Sequence, residues 1–312
     1  MPWKQDYTIS DEVAIADADI VWPDGKQCGF GIVVDLSPAT SLAGLDEKSL
    51  RYPTYHFGLH EGLYDFLDMF ARHGLRTTFA VPAAIAAIYP ETIARISAAG
   101  HEIAVNGLLG EDPLTLDEGT EAERVAQATD MIASVTGARP QGWFSLPRAN
   151  DPFATGNVSA KTIDLLIANG YAYFGNGLAD DAPHYWVTDF ASRKHLLTLP
   201  YYYHFDDRFF LMFPSEGTGL ERPGTLLRNW QTEFAAQYRR GRYFSMTVSP
   251  QRSGWGHRLD ALDRFLREAA AMPGLWNATG GEVAAHWTRH HPAATHLKLE
   301  PSIWKSYEGS VD

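Results

Sequence analysis

Short apolar runs alternate along this chain with segments of helical periodicity, and this alternation restricts the fold more than any other feature. The runs at 28–36, 75–81 and 101–105 have the length and apolar character of buried strands. Between the first two, residues 62–74 carry apolar side chains at helical spacing and end on a glycine, which is typical of a helix terminus. About seven such strand–helix pairs follow one another, so we expect a parallel α/β sheet, closed as a barrel or doubly wound.

The rest of the chain continues the same order without a linker, an internal repeat or a low-complexity run. Further strands are expected at 141–145, 171–174, 195–200, 242–249 and 274–277, and further helices at 90–99, 117–136, 159–170, 225–241, 258–271 and 281–291. We therefore expect residues 1–312 to form one domain. Its last part, 292–312, is polar and contains Trp304 and Tyr307, which suggests a C-terminal arm.

Charge and hydropathy argue against several classes of partner. The formal net charge is −12, and an acidic chain is poorly suited to bind nucleic acid or an anionic membrane surface. The first residues lack the basic and apolar regions of a secretory signal. No run approaches the ~18 apolar residues of a membrane span. We expect a cytoplasmic protein that acts on a small molecule.

Several familiar chemistries find no support in the sequence. Cys28 is the only cysteine, so neither an internal disulfide nor a cysteine-ligated zinc site can form within the chain. A P-loop, a G-x-G-x-x-G motif and a G-x-S-x-G nucleophile elbow are all missing. The sequence therefore supports neither a nucleotide cofactor nor serine-hydrolase chemistry.

Polar residues follow several of the expected strands. In a parallel barrel the carboxyl ends of the strands meet at one edge, and catalytic groups of such folds lie there. The stretches expected at that edge are 35–37, 106–112, 144–148, 201–207 and 249–257. Asp35 ends the first strand, and a carboxylate at this position predicts a general base or a nucleophile.

Several stretches, in order over most of the chain, resemble those of a known family. They are 22–36, 75–82, 89–104, 142–145, 199–207, 245–251 and 275–287, with sequences such as GWFS, LPYYYHFDD and SMTVSPQ. Together they resemble the polysaccharide deacetylase, or NodB-homology, superfamily, and within it the branch of metal-independent allantoinase and cyclic imide hydrolases. The resemblance implies a distorted (β/α)7 barrel that assembles as a homo-dimer or homo-tetramer.

The same resemblance implies metal-assisted hydrolysis of an amide or imide bond by residues at fixed positions. Asp35 matches the catalytic base. The second metal-binding aspartate falls on Leu36 or Ser37, and the two metal-binding histidines fall on Asn106 and Gly110.

Two further family positions are also changed. The family's arginine that interacts with the catalytic base falls on Phe144, in GWFSL. The family's general-acid histidine falls on Ser249, in VSPQR. Only the base is kept, and the residues at the other positions offer too few good ligands for zinc. We therefore expect a protein without a metal or any other cofactor.

Small polar residues take the place of the charged groups. Ser37, Asn106 and Ser249 are suited to polarise a substrate carbonyl through neutral dipoles, or else they fill a cavity that no longer works. His60, in RYPTYHFGLHEG, is expected in a loop near a position where family members carry an arginine, and acid–base work is its candidate role. Pocket walls are expected from Trp143, Phe144, Tyr203, His204 and Trp255.

The leading hypothesis is a metal-independent hydrolase of a small cyclic, amide-like or imide-like molecule, with Asp35 as general base. One alternative is a hydrolase that breaks a C–C bond of a β-diketone at the same site. Another is a non-catalytic descendant of the fold that binds a ligand or serves as a scaffold. A third is a relocated metal site built from His56, His60 and Glu111 or His204.

Overall fold

A nine-stranded sheet around a buried apolar core organises the chain. The computed structural model describes residues 15–38, 41–148, 156–189, 192–208 and 222–297. The strands are β1 (Cys28–Asp35), β2 (Thr78–Val81), β3 (Glu102–Val105), β4 (Gly142–Trp143), β5 (Tyr173–Gly177), β6 (His184–Asp189), β7 (Lys194–Pro200), β8 (Tyr243–Val248) and β9 (Leu275–Asn277). Most of the expected C-terminal arm, including Trp304 and Tyr307, lies outside the described residues.

The strand order places the carboxyl ends of consecutive strands side by side. It runs β6-β7-β5-β4-β3-β2-β1-β8, and β9 pairs with β1. All pairs are parallel except that of β6 with β7. Asp35 is in register with Ala80, and Val81 is in register with Val105, so β1, β2 and β3 end at one edge. The expected α/β fold, a distorted barrel of the NodB-homology type, is confirmed.

Side-chain hydrogen bonds link β8 to the end of β7, where the backbone hydrogen bonding of the sheet stops. Within the described residues, no strand pairing joins β7 to β8. The hydroxyl of Ser245 on β8 donates to the carbonyl of Pro200 at the end of β7, at 2.7 Å. The hydroxyl of Tyr202 donates to the carbonyl of Tyr243 at 3.1 Å. These bonds hold the loop after β7 against the strand that precedes Ser249.

Helices cover the outside of the sheet. They are Glu47–Leu50, Pro53–Phe57, Leu63–His73, Ala83–Ile88, Pro90–Ala98, Glu118–Thr136, Thr162–Ala168, Pro223–Arg240, Pro250–Ser253, Gly256–Ala270, Gly280–His290 and Ala293–His296. The helices that begin at Leu63, Glu118 and Pro223 each end at a glycine with positive φ, as their sequences predict. In the described ranges, no helix is both long and apolar enough to cross a membrane.

Aromatic rings fill the space between β1, β8 and the helices outside them. Phe30 and Phe244 stack with ring centroids 5.9 Å apart, and Phe234 and Phe265 meet both of them edge to face. Full burial of such a side chain contributes about 1.5–3 kcal/mol of folding free energy. This packing holds rigid the two neighbouring strands whose ends carry Asp35 and Ser249.

Three parts of the chain named here differ from the sequence-based expectation. The helix Ala83–Ile88 and the antiparallel strand β6 were not predicted. The loop expected around His56 and His60 is wrong, because that stretch forms the helix Pro53–Phe57 and a π-helical turn, Gly58–Gly62. Proline at its first position suits a helix start, and the continuous helix packs against 250–254 through its glycines.

Candidate active site

Asp35 is a buried carboxylate at the last position of β1, with its two oxygens in different surroundings. Its Oδ1 accepts the backbone N–H of Ser37 at 2.8 Å. The hydroxyl of Tyr55 donates to the carbonyl of Leu36 at 3.1 Å and fixes the backbone between them. The Oδ2 atom lies 3.8 Å from Nη1 of Arg252. One oxygen is therefore committed to the loop, and the other faces a cation beyond hydrogen-bonding distance.

Arg252 joins two strand ends. It lies on the short helix Pro250–Ser253 after β8, and its Nη1 donates to Oγ of Ser249 at 3.0 Å. The same nitrogen is 3.6 Å from Oδ1 of Asp207. Burial acts to lower the pKa of Arg252, but the nearby carboxylates raise it above its ordinary value. The guanidinium therefore stays charged between Asp35 and Asp207.

Asp207 is fully buried in the turn after β7. Its Oδ2 accepts the backbone N–H of Ser249 and the hydroxyl of Ser253, both at 2.7 Å. Burial raises the pKa of Asp207 to about 7, and Arg252 offsets only part of that shift. This carboxyl group therefore changes its protonation near neutral pH.

Asp206, beside Asp207, is also buried and hydrogen-bonded. Its Oδ2 accepts the hydroxyl of Tyr201 at 2.6 Å, and its Oδ1 accepts the backbone N–H of Arg208 at 2.8 Å. Burial raises the pKa of Asp206 as well. The turn thus supplies two adjacent carboxyl groups to the neighbourhood of Arg252.

The residues that the sequence resemblance assigns to metal-ligand positions either bond to other protein groups or have no side chain. Asn106 follows β3, and its amide nitrogen donates to Oγ of Ser37 at 2.6 Å. Its amide oxygen accepts the backbone N–H of Leu146 at 3.0 Å. Gly110 has φ +70°, and its carbonyl accepts Nε of Arg148. Since the amide of Asn106 is engaged at both ends and Gly110 has no side chain, these residues do not fit the metal that the family implies.

A relocated metal site is not assembled in the described part of the chain. There, no group of three or more histidine, cysteine, aspartate or glutamate side chains is placed to hold a metal ion. His56 and His60 are exposed and contact each other, with ring centroids 4.3 Å apart. Glu111 pairs instead with Arg124 at 3.2 Å, and His204 is exposed on the turn after β7.

The expected pocket walls separate into three groups. Trp143 packs in the apolar core, where it meets Tyr171 edge to face, and Phe144 points into the barrel against Gly175. Tyr203 is exposed, like His204 beside it. Trp255 lies just after the short helix Pro250–Ser253 that carries Arg252.

Trp255 contacts both this helix and the helix that precedes the π-helical turn. Its ring stacks on Phe57 with centroids 3.9 Å apart, and its indole N–H donates to the carbonyl of Gln251 at 3.1 Å. The amide of Gln251 in turn donates to the carbonyl of Ser37 at 2.9 Å. A surface aromatic side chain is thus two contacts away from the loop after Asp35.

Three arginines near Asp35 were missed by sequence reasoning. Arg148, Arg208 and Arg252 are each largely buried, and the charge of Asp35 acts on the pKa of all three. Arg148 and Arg252 lie within the strand-end stretches 144–148 and 249–257, and Arg208 directly follows the stretch 201–207. That position is the signal that would have identified them.

The fold is the α/β barrel of the NodB-homology type that the sequence predicts. Residues 46–173 match the family model described as polysaccharide deacetylase. A peptidoglycan deacetylase of Helicobacter pylori is 22% identical over 257 residues, which cover 74% of this chain and 85% of that protein. The resemblance to the polysaccharide deacetylase family seen in the sequence is confirmed.

Solved structures agree over nearly the whole chain. A Mycobacterium smegmatis protein classed with the polysaccharide deacetylases matches with a TM-score of 0.78 and 26% identity, covering 95% of this chain and 99% of that one. Puue allantoinase matches with a TM-score of 0.76 and 22% identity, covering 90% of this chain and 95% of that one. The second likeness concerns the fold alone.

Proposed function

We propose that this chain is a hydrolase that cleaves a C–N bond of a small cyclic, amide-like or imide-like molecule without a metal, with Asp35 as its general base. The observation that carries the proposal is the Oδ2 atom of Asp35, a buried strand-end oxygen that faces the Arg252 guanidinium at 3.8 Å. The match of residues 46–173 to the polysaccharide deacetylase model supports hydrolysis, since removal of an acetyl group from an amine breaks a C–N bond.

The two oxygens of Asp35 have separate tasks in this mechanism. The backbone N–H of Ser37 holds Oδ1 and thereby orients the carboxylate. Oδ2 accepts a proton from the attacking water as the oxygen of that water bonds to the substrate carbonyl carbon and the carbonyl π electrons move to its oxygen. The C–N bond then breaks as the carbonyl re-forms, and the proton on Oδ2 passes to the leaving nitrogen. The cation of Arg252 stabilises negative charge that develops beside Asp35.

Ser37 and Asn106 are suited to bind the carbonyl oxygen of the substrate. Because the amide of Asn106 donates to Oγ of Ser37, the hydroxyl hydrogen of Ser37 is directed away from Asn106. Ser37 is only half-buried, so this hydrogen can reach a bound molecule. One oriented donor of this kind is worth about 10²–10³ in kcat in well-studied hydrolases.

Neutral donors and a guanidinium polarise a carbonyl less than a divalent metal does. A substrate that is already activated, such as a cyclic imide or a ureide, needs less polarisation than a sugar acetamide. For this reason small activated C–N compounds are the favoured substrates. A β-diketone is activated in a comparable way, so C–C hydrolysis at the same carboxylate is the alternative reaction.

Asp35→Asn tests the proposal, because asparagine keeps the size of the side chain and removes its basicity. We expect kcat on the best imide or ureide to fall by about 10²–10⁴-fold, with the melting temperature nearly unchanged. Asp164→Asn is the matched control, since Asp164 pairs with Lys194 at 2.7 Å on the surface. Its turnover should equal that of the wild type.

The substrate screen separates the competing functions. Imides, ureides, β-diketones and acetylated sugars are incubated with the wild type, and products are identified by mass spectrometry. Turnover of β-diketones alone would replace the C–N assignment by C–C hydrolysis. Tight binding without any product, retained in Asp35→Asn, would show a ligand-binding descendant of the fold.

A further inference from the structure

Two buried arginines beside the site have neutral partners. Arg148 donates through Nε to the carbonyl of Gly110 and through Nη1 to the carbonyl of Leu146, the latter at 3.0 Å. Arg208 donates through Nη1 to the carbonyl of Pro147. Their exposed fractions are 7% and 8%. Taking a cation out of water is costly unless an opposite charge or strong hydrogen bonds replace the water.

In the part of the chain that the structure describes, neither guanidinium has a carboxylate in contact. Among the described residues, no aspartate or glutamate oxygen lies within 4.0 Å of Arg148 or Arg208, whereas Arg242 and Arg252 each have such partners. Burial lowers the pKa of Arg148 to about 10 and also lowers the pKa of Arg208. Buried arginines are ordinarily paired with an opposite charge, and the described residues supply none in contact with these two.

The acidic side chains nearest to Arg148 already have other partners. Asp112 and Glu111 act on the charge of Arg148 from a longer distance. Oδ1 of Asp112 accepts the backbone N–H of Leu114 at 2.9 Å, and its Oδ2 accepts the side-chain amide of Asn157 at 2.7 Å. Glu111 pairs with Arg124 at 3.2 Å. These carboxylates are therefore held away from the two guanidiniums.

Hydrogen bonds connect Arg148 and Arg208 to the residues around Asp35. They donate to consecutive carbonyls, those of Leu146 and Pro147. The N–H of Leu146 donates to Asn106, whose amide donates to Ser37. The charge of Asp35 also contributes to the pKa of both arginines. These contacts link the two arginines to the residues around Asp35, and we infer that a molecule held there also meets them.

We propose that Arg148 and Arg208 bind a carboxylate of the substrate, so that the substrate is an amide or imide that carries a negative charge near the bond to be broken. This inference rests on the proposed function, which supplies the type of bond that is cleaved, and it adds that the substrate carries a negative charge. Guanidinium groups bind carboxylates through paired, charge-assisted hydrogen bonds. The arginines would then select anions in a chain whose net charge is −12.

The test compares succinamate with succinamide, two molecules of nearly equal size that differ by one carboxylate. Both are titrated by calorimetry into the Asp35→Asn protein, so that no turnover interferes. We expect succinamate to bind about tenfold or more tightly, since a hydrogen bond to a charged group is worth ~1.5–3 kcal/mol. Added salt should weaken succinamate binding and leave succinamide binding unchanged.

Variants assign the preference to the two residues. In the same background, Arg148→Gln and Arg208→Gln should each reduce the preference for succinamate to about threefold or less, and Arg148→Lys should keep part of it. Arg139→Gln is the control, because Arg139 is exposed and donates to the carbonyl of Asn169. It should leave the preference intact.

Each outcome decides the inference separately from the proposed hydrolysis. Equal affinity for the two probes, or no binding of either, would overturn the anion site, as would a preference that survives both glutamine variants. If those variants fail to fold, the lysine variant and the salt dependence of the Asp35→Asn protein decide. A clear preference for succinamate in a protein that hydrolyses nothing would sink the proposed function and leave the anion site standing.

Discussion

The side-chain amide of Asn106 donates a 2.6 Å hydrogen bond to the hydroxyl of Ser37. The sequence resemblance assigns Asn106 to a metal-ligand position and assigns another to Leu36 or Ser37. The amide oxygen of Asn106 accepts the backbone N–H of Leu146, so both ends of this amide have a protein partner. These hydrogen bonds connect the loops that follow β1, β3 and β4.

The first prediction concerns metal. Because these donors are engaged with one another, we expect the purified protein to contain far less than one equivalent of zinc, nickel or manganese. Treatment with a chelator should leave kcat within about twofold of the untreated value, since no metal-bound hydroxide is involved. Plasma mass spectrometry measures the content, and steady-state kinetics before and after dialysis measure the activity.

A zinc hydrolase assayed in parallel serves as the control, and it should lose activity in the same chelator. One equivalent of metal per chain, together with activity restored only by that metal, would show that the Ser37–Asn106 reading is wrong. In that event ligands outside the described residues would have to be sought.

The second prediction concerns Arg252 and the buried carboxyl of Asp207. Asp207 has a folded-state pKa of about 7, above the ordinary 3.8, so it stabilises the fold at low pH and loses that contribution as pH rises toward 7. Arg252 lowers this pKa. In Arg252→Gln the pKa of Asp207 should therefore rise further, and stability should continue to fall above pH 7.

Chemical unfolding at pH about 6 and about 8.5 measures this effect. The loss of unfolding free energy in Arg252→Gln should be about 3–5 kcal/mol at the higher pH, since a buried charge has lost its partner, and smaller at the lower pH. Asp207→Asn in both backgrounds is the control and should abolish the difference between the two pH values. A penalty that is the same at both pH values would contradict the assigned role of Asp207.

Much of the fold could be predicted from local patterns in the sequence. Gly74, Gly137 and Gly241 end helices in the left-handed conformation, as the periodicity before them indicates. Asp35 could be identified because the apolar run of β1 stops there. β6 was missed because no helix follows it, and it returns antiparallel beside β7, outside the strand–helix alternation.

The contacts within the site depend on strand order, which local patterns do not contain. Arg252 reaches Asp35 because β8 pairs with β1, with Val248 opposite Val34. The sequence places these residues far apart, and only the topology joins them. Phe144 illustrates a second limit, because strand alternation makes it face either the pocket or the barrel interior, and packing against Gly175 decides for the interior.

The third prediction concerns His101, which is buried at the start of β3. Its Nδ1 accepts the backbone N–H of Thr77 at 3.1 Å, and burial lowers the pKa of His101 to about 4. In the unfolded chain the imidazole of His101 takes up a proton near pH 6.5, whereas in the folded protein it stays neutral at that pH. Stability from this group is therefore complete above pH 6.5 and is lost as pH falls toward 4.

His101→Gln keeps an acceptor for Thr77 but does not titrate. We expect the variant to be less stable than the wild type at neutral pH and to show a shallower decline of melting temperature between pH 6.5 and 4. His195→Gln is the control, since the side chain of His195 is only part-buried and bonds the carbonyl of Arg193. An unchanged decline in His101→Gln would show that other groups cause the acid sensitivity.

The last prediction concerns Gly58, which lets the helix before the π-helical turn approach the segment that carries Arg252. A Cβ atom at this position would lie 2.6 Å from the backbone N and Cα atoms of Gln251. Backbone atoms cannot move aside as a flexible side chain can, so Gly58→Ala must shift 250–253 or the helix. Overpacking of this kind costs about 1–3 kcal/mol. Because Arg252 is in the shifted segment and faces Asp35, we expect kcat to fall together with stability, as measured by steady-state kinetics and denaturant unfolding.

Gly224→Ala is the matched control, since nothing lies within 4 Å of its added Cβ. In a helix this second change should be neutral or stabilise by up to about 1 kcal/mol. Full activity in Gly58→Ala, despite a stability loss of the expected size, would mean that the position of Arg252 does not govern catalysis at Asp35.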